Sequence, residues 1–146
     1  MTKANNTFES HSPADTFAHG RGIGEAAASG DVIALIGDLG SGKTVLAQGI
    51  AAGLGIGGPI ASPTFVILHE YENGRLPLYH FDVYRIGDIS EMDEIGFDEY
   101  LQRGGVLLIE WADLIEQILP APYLRIAIEK DWQRGPDYRR ITRFYT

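Results

Sequence analysis

The residues best suited to chemistry lie in one glycine-rich segment, residues 37–44, with the sequence GDLGSGKT. It matches the P-loop pattern G-x-x-x-x-G-K-[ST] at every fixed position, and a chance match in this chain has a probability of about one in a hundred. Glycines let backbone N–H groups converge on phosphate oxygens, and the dipole of a following helix adds favourable charge. We therefore predict a nucleotide site whose phosphate-binding residues are Asp38, Leu39, Gly40, Ser41, Gly42, Lys43 and Thr44.

A P-loop enzyme also needs a carboxylate at the end of a neighbouring strand to hold the metal and its water shell. Glu110 follows the apolar residues 106–109, and Asp82 follows residues 78–81, which are less continuously apolar. Spacing alone leaves open which carboxylate would hold the metal and which would position water. The chain has no second cluster of metal-binding side chains at ligand spacing, so we expect the metal to arrive with the nucleotide.

The positions of the three lysines indicate which nucleotide base the site would accept. Guanine-specific GTPases read their base with Asn-Lys-x-Asp, and no asparagine precedes Lys3, Lys43 or Lys130. ATP is therefore favoured over GTP, and Lys43 is the only lysine that we expect near the site. A lone strand histidine such as His80 is more often structural than catalytic, while Trp111 could equally stack on a base or close the core.

Hydrophobic patterning places the P-loop between a strand and a helix. Val32–Ile36 is a short, continuously apolar run of the kind that is buried on both faces of a sheet. Residues 43–54 form the helix after the loop, and Ser12 and Pro13 start an earlier, glycine-rich helix that closes at Gly30.

The other elements complete a mixed sheet. Residues 65–71 and 76–84 are strand-like and are joined by an Asn-Gly turn, a strong hairpin signal. Residues 90–101 are helical, acidic and interrupted at Gly96, and strands are predicted at 106–109, 124–129 and 139–144. The predicted fold is α/β: a P-loop NTPase-like mixed β-sheet flanked by helices on both faces.

Composition restricts the class of protein further. The 146 residues suit one domain, 1–146, in which we expect residues 1–11 to be poorly ordered. Twelve basic against twenty acidic residues give a formal charge of −8, which argues against nucleic acid or an anionic membrane as a direct partner. Cysteine is absent, and the apolar runs are far shorter than the roughly 20 residues of a membrane span. The first residues contain no apolar signal core, so we expect a cytoplasmic location.

Four motifs in a fixed order carry a resemblance to a known family. They are the P-loop, SPTF at residues 62–65, HFDVYR at 80–85 and IEW at 109–111. Together they resemble the TsaE (formerly YjeE) family, small bacterial ATPases of tRNA threonylcarbamoyladenosine synthesis. Thousands of proteins share a P-loop, whereas this ordered set in so short a chain is specific, and the similarity spans residues 16–140.

The resemblance implies roles for individual residues at the reacting end of the nucleotide. Thr44 and Glu110 would hold Mg²⁺, and Asp82 would position or activate the attacking water. Thr64 lies in a switch-like loop, where it would sense the γ-phosphate. With Lys43, Asp82 and Thr64 form the implied catalytic set.

The resemblance also implies contacts with the rest of the nucleotide. Trp111 would lie next to it, and Thr16, on the first helix, would lie near the adenosine end. The segment after Lys130 is only loosely similar to the family, so Arg134, Arg139 and Arg140 receive no role.

Partners follow from the resemblance as well. Family members bind the TsaD–TsaB heterodimer, which transfers a threonylcarbamoyl group to adenosine 37 of tRNA, so tRNA would be reached only indirectly. ATP hydrolysis, slow alone and stimulated by the partner, would drive turnover of that complex. Two alternatives are a small P-loop kinase, against which the scattered arginines and short chain argue, and a nucleotide-dependent adaptor with incidental ATPase activity.

Overall fold

The computed structural model describes residues 6–38, 40–57, 60 and 68–146. Its strands are β1 (Asn6–Ser10), β2 (Val32–Ile36), β3 (Leu68–Tyr71), β4 (Leu78–Asp82), β5 (Val106–Glu110), β6 (Leu124–Lys130) and β7 (Arg139–Tyr145). Its helices are α1 (Pro13–Ala26), α2 (Lys43–Gly53), α3 (Glu91–Glu94) and α4 (Phe97–Leu101). Within these residues the strands form one sheet in the order β1-β7-β6-β2-β5-β4-β3.

The middle of the sheet is parallel and brings the P-loop and the two predicted carboxylates to one edge. Strand β2 pairs in parallel with β5 on one side and β6 on the other, and β5 pairs in parallel with β4. Glu110 is in register with Leu35 of β2 and with Asp82 of β4. Ligands of open α/β sheets bind outside the carboxyl ends of parallel strands, which is where the loop after β2 and both carboxylates lie.

Both faces of the sheet are covered, which confirms the predicted architecture. Along β2, Ile33 and Leu35 face the core under α1 and α2, while Val32 and Ala34 face the opposite core. That second core contains Met92 of α3, Phe97 of α4 and aliphatic residues of the turns after β5. Central strands buried on both faces explain why the sequence shows continuous apolar runs there.

The antiparallel outer strands include one that the sequence did not reveal. β3 and β4 form the predicted hairpin, although residues 65–67 of its first strand lie outside the described residues. Of residues 1–11, for which we expected poor order, Asn6–Ser10 forms β1 and pairs antiparallel with β7, whereas residues 1–5 lie outside the described residues. Four of these five residues are exposed, so the segment lacks a hydrophobic pattern and depends on backbone pairing with β7.

The helix boundaries follow local capping chemistry. Ser12 caps α1 by accepting a hydrogen bond from the Asp15 N–H at 3.0 Å, with Pro13 at the first helical position. Gly96 has a φ of +77°, in the left-handed region, and it separates α3 from α4 at the predicted break. No helix in the described ranges is both long and apolar enough to cross a membrane.

Glycines let α1 lie with its backbone against α2. A Cβ on Gly20 would collide with the Leu46 carbonyl oxygen, and a Cβ on Gly24 would collide with that of Ile50. Gly49 and Gly53 of α2 make the reciprocal contacts with the backbone of α1. These glycines lower helix propensity, yet they set the close approach that holds the P-loop helix against the sheet.

We expect Gly24→Ala to lower the free energy of unfolding by about 1–3 kcal/mol, because the added methyl group overpacks the contact between helices. Gly22→Ala is the matched control on the same helix, where a Cβ meets nothing within 4 Å. Its better helix propensity should leave stability unchanged or raise it by up to about 1 kcal/mol. Urea unfolding measures both, and equal midpoints would contradict the close packing.

Candidate nucleotide-binding site

The loop between β2 and α2 is shaped as a cradle of backbone groups. A Cβ on Gly37 would lie 2.7 Å from Ser41 Oγ and 2.8 Å from the Ile128 carbonyl oxygen, so only glycine fits there. Gly40 and Gly42 have φ values of +74° and +101°, which L side chains rarely adopt. In the described residues no side chain caps α2, so its first N–H groups can bind an anion.

Lys43 is held at the mouth of this cradle. Its Nζ donates a hydrogen bond to the Gly37 carbonyl oxygen at 2.5 Å and lies 3.3 Å from the centre of the Trp111 ring. The lysine is only 6% exposed, and this desolvation lowers its pKa, while Glu110 and Asp82 act in the opposite direction. An ammonium so poorly hydrated gains strongly from a phosphate counter-ion.

Trp111 reaches the lysine through an unusual backbone conformation. Its φ of +62° is in the left-handed region, where non-glycine residues are uncommon. The turn sends the chain away from the end of β5, and the ring lies against both Lys43 and Tyr84, the latter at 4.6 Å between centroids. The structure therefore places the Trp111 side chain at the P-loop lysine.

The two predicted carboxylates lie side by side at the ends of β4 and β5. Glu110 is 2% exposed, and its Oε2 lies 2.6 Å from Nε2 of His80, which is also buried. Asp82 is half-buried and accepts a hydrogen bond from the Tyr84 N–H at 2.9 Å. Burial raises the pKa of Asp82 and nearby Glu110 adds to the increase, whereas the Tyr84 N–H, His80 and Lys43 oppose it.

The other predicted contacts surround the loop or lie outside the described residues. Thr44, on the first turn of α2, is exposed, as are Asp38 and Gly40, whereas Ser41 is buried. Among the described residues Ser41 Oγ has no hydrogen-bond partner. Leu39 and Thr64 are outside the described ranges.

Thr16 lies behind the loop, on α1. It is 2% exposed, and its Oγ1 is 2.7 Å from Ser10 Oγ on β1. It lines a cavity of about 70 Å³ together with Gly42 and Arg139. This cavity adjoins the P-loop on the side opposite the carboxylate strands β5 and β4.

Arg139, to which the sequence gave no role, supports the P-loop from outside. Its Nε donates to the Ser41 carbonyl oxygen at 2.7 Å, and its Nη1 donates to the carbonyl oxygens of Pro136 and Tyr138 at 2.8 and 2.7 Å. Because a trans peptide directs its C=O and N–H to opposite sides, the bond to Ser41 turns the Gly42 N–H away from the arginine. Arg139 therefore helps to fix the orientation of a loop amide.

The expectation that Lys43 is the only lysine near the site is wrong. Lys130, the last residue of β6, has its Nζ 3.2 Å from the position of a Cβ on Gly40. The same ammonium lies 5.2 Å from the ring of Trp132, which is 70% exposed. The parallel pairing of β6 with β2 brings Lys130 to the P-loop, and nothing in the sequence specified that pairing.

The site combines a glycine cradle between a central parallel strand and a helix with carboxylates at the ends of β5 and β4, the next two strands of the sheet. This arrangement defines a P-loop nucleotide-binding protein. Comparison with known proteins identifies the family to which this P-loop protein belongs. The family model described as "Threonylcarbamoyl adenosine biosynthesis protein TsaE" matches residues 10–141, and the chain belongs to this family. The resemblance drawn from the four motifs is thereby confirmed.

Individual relatives agree over most of the chain. It is 49% identical over 130 residues to the tRNA threonylcarbamoyladenosine biosynthesis protein TsaE of Bacillus subtilis, covering 89% of this chain and 79% of the relative. The protein of the same name from Treponema pallidum is 40% identical over 119 residues, covering 82% and 87%. The crystal structure of YdiB from Bacillus subtilis superposes with a TM-score of 0.84 at 40% identity, over 99% of this chain and 88% of that one.

We expect Arg139→Met to weaken ADP binding by about tenfold, the effect of losing one charge-assisted hydrogen bond that orients the loop. Arg140→Met is the matched control, because the Arg140 guanidinium contacts Asp131 on the surface at 3.6 Å. That variant should bind ADP as the unaltered protein does. Calorimetric titration measures both, and equal affinities would mean that Arg139 does not support phosphate binding.

Proposed function

We propose that this chain binds and hydrolyses Mg-ATP in the cytoplasm, and that hydrolysis drives turnover of the TsaD–TsaB complex in threonylcarbamoyladenosine modification of tRNA. One observation carries the ATPase proposal: a P-loop, its buried lysine and two carboxylates meet at one edge of the sheet. Membership of the TsaE family and the names of its relatives support the role in tRNA modification.

The P-loop would hold the phosphates through its backbone amides and through Lys43. Residues 38–44 would supply the amides, and Arg139 would keep the segment around Ser41 in place. Lys43 packs between the Trp111 ring and the Gly37 carbonyl oxygen, and both contacts come from the protein itself. Its side chain is therefore already ordered, which reduces the entropy lost on binding.

The donors at the sheet edge fit a magnesium ion that is carried by the nucleotide. Mg²⁺ prefers oxygen ligands and is usually bound by one or two carboxylates together with substrate phosphates. The Thr44 hydroxyl and the Glu110 carboxylate are such oxygen donors, and we assign them to the metal. In the described ranges no three His, Cys, Asp or Glu side chains cluster closely enough to hold a metal by themselves. When bound, the ion would neutralise charge on the β- and γ-phosphates.

Asp82 would position the attacking water. It ends the strand next to Glu110, and its carboxylate is half-buried, which raises its pKa. A partly desolvated carboxylate accepts a hydrogen bond from water more strongly than a hydrated one. Thr64 as a γ-phosphate sensor, and Trp111 and Thr16 as nucleotide contacts, complete the proposed set.

Asp82→Asn should lower kcat for ATP hydrolysis by about 100-fold or more and leave the affinity for Mg-ATP nearly unchanged. Asp98→Asn, at an exposed position on α4, is the control and should change neither quantity. Phosphate release and calorimetry measure them. A large loss of Mg-ATP affinity in Asp82→Asn would instead identify Asp82 as a metal ligand.

The difference in stability between Asp82→Asn and the unaltered protein should depend on pH. Asp82 holds its proton more tightly in the folded protein than in the unfolded chain, so its ionisation reduces stability as pH rises through the acidic range. Asp82→Asn should therefore be at least as stable as the unaltered protein at neutral pH. That relative gain should disappear below pH about 3.9, where the carboxyl group is protonated even when unfolded.

The partner role is tested by measuring phosphate release and complex formation with purified TsaD–TsaB in ATP, ADP and a non-hydrolysable ATP analogue. We expect slow hydrolysis alone, faster hydrolysis in the complex, and partner affinity that depends on the nucleotide, because a partner that favours the ATP state must raise ATP affinity in return. Lys43→Ala, which removes the phosphate-binding charge, should show neither effect. Equal partner affinity in all three states and no change in turnover would refute the role, and phosphate transfer to an acceptor other than water would favour a kinase.

A further inference from the structure

A buried histidine–glutamate pair joins β4 to β5, the strand that lies next to the P-loop strand β2. His80 is on β4, and Glu110 ends β5, with Nε2 and Oε2 2.6 Å apart. The side chains are 1% and 3% exposed, so the pair is almost completely removed from solvent. Among the described residues the other ring nitrogen of His80, Nδ1, has no hydrogen-bond partner.

Stability alone does not account for this pair. Burying a carboxylate is costly, and one hydrogen bond to an imidazole offsets the cost only in part. Neighbouring residues of the same strands, such as Phe81, Leu108 and Ile109, are fully buried and apolar. An apolar pair of similar volume would often be as stable, so the polar pair indicates a role at the site it borders.

The burial of His80 also restricts what that role is. Its Nε2 already bonds Glu110 Oε2, so it is through this carboxylate that the ring can act on the site. An ionised carboxylate, the form that binds a metal, only accepts hydrogen bonds, so the donor in this pair is then the Nε2–H group of His80. This bond fixes the rotation of the Glu110 carboxylate at the end of its strand.

We propose that His80 is a positioning residue that holds Glu110 ready for the Mg²⁺ of the bound nucleotide. The inference rests on the proposed assignment of Glu110 to the metal. Groups that hydrogen-bond a metal ligand orient it before the metal arrives, and their loss typically lowers metal affinity by about 10–100-fold. His80 thus increases the benefit that Mg²⁺ gives to nucleotide binding without touching the nucleotide.

The test compares ADP affinity in Mg²⁺ with ADP affinity in EDTA, by calorimetry, for each variant. We call the ADP affinity in Mg²⁺ divided by the ADP affinity in EDTA the Mg²⁺ ratio, and we expect it to exceed one in the unaltered protein. His80→Leu should lower the Mg²⁺ ratio about tenfold, while its ADP affinity in EDTA stays unchanged. His80→Gln, whose side-chain amide can donate to Glu110, should recover most of the ratio. His69→Leu is the matched control, because His69 is in register with His80 on β3 but lies near Tyr71 instead.

A double-variant cycle separates positioning from a general structural effect. In a Glu110→Gln background, His80→Leu should lower the Mg²⁺ ratio no further, since the residue through which His80 acts is already altered. If His80→Leu does not fold, His80→Asn replaces it, because its shorter amide cannot reach Glu110 as the Gln amide does.

The outcomes distinguish this inference from the proposed function. A full Mg²⁺ ratio in both His80→Leu and His80→Asn, with a normal ratio in the unaltered protein, would overturn the role of His80 alone. Additive losses in the double variant would also overturn it. No Mg²⁺ advantage in the unaltered protein would overturn the metal assignment of Glu110, and the role of His80 with it.

Discussion

The parallel pairing of β2 with β5, and of β5 with β4, is the constraint on which the site depends. It places the ends of three buried strands in register, so that the loop after Leu35 and Ile36 lies beside Glu110, and Glu110 lies beside Asp82. Parallel strands present their carboxyl ends at a common edge, and the groups found there come from distant parts of the chain. A slip of one residue in either pairing would turn a carboxylate to the other face of the sheet.

Two charged side chains at this edge are partly removed from water, which disfavours their ionised forms. Lys43 has a lowered pKa and Asp82 a raised pKa, each chiefly because water is excluded from the side chain. Such groups reduce stability in the absence of ligand, and they respond strongly to a phosphate or a metal ion because the local dielectric constant is low. Glu110, which lies beside them, is also buried and is hydrogen-bonded to His80.

The P-loop is supported from two sides by different means. Behind it, the backbone of α1 contacts that of α2 through glycines, which fixes the helix that begins at Lys43. Beside it, Arg139 of β7 donates hydrogen bonds to the loop carbonyl oxygens of Ser41 at 2.7 Å and Gly40 at 3.4 Å. Strand β1 pairs with β7 at Ser10, whose hydroxyl lies beside that of Thr16 on α1, so the two supports are themselves connected.

The sequence by itself determined the features that depend on local residue chemistry. The P-loop was readable because its backbone geometry requires glycines at fixed positions and its function requires Lys43 and a hydroxyl residue. The buried strands were readable because burial on both faces demands continuous apolar runs, and the Ser12 cap and the break at Gly96 because each satisfies a local backbone requirement. The family followed from four such motifs in order.

The tertiary structure alone decided which distant groups meet. Strand β1 has no hydrophobic pattern, and Lys130 and Arg139 approach the P-loop only because β6 pairs with β2 and β7 pairs with β6. The hydrogen bond between His80 and Glu110 likewise needs β4 beside β5, across 30 residues of sequence. Strand order and register arise from the packing of the whole sheet, a non-local free energy that no short stretch of sequence contains.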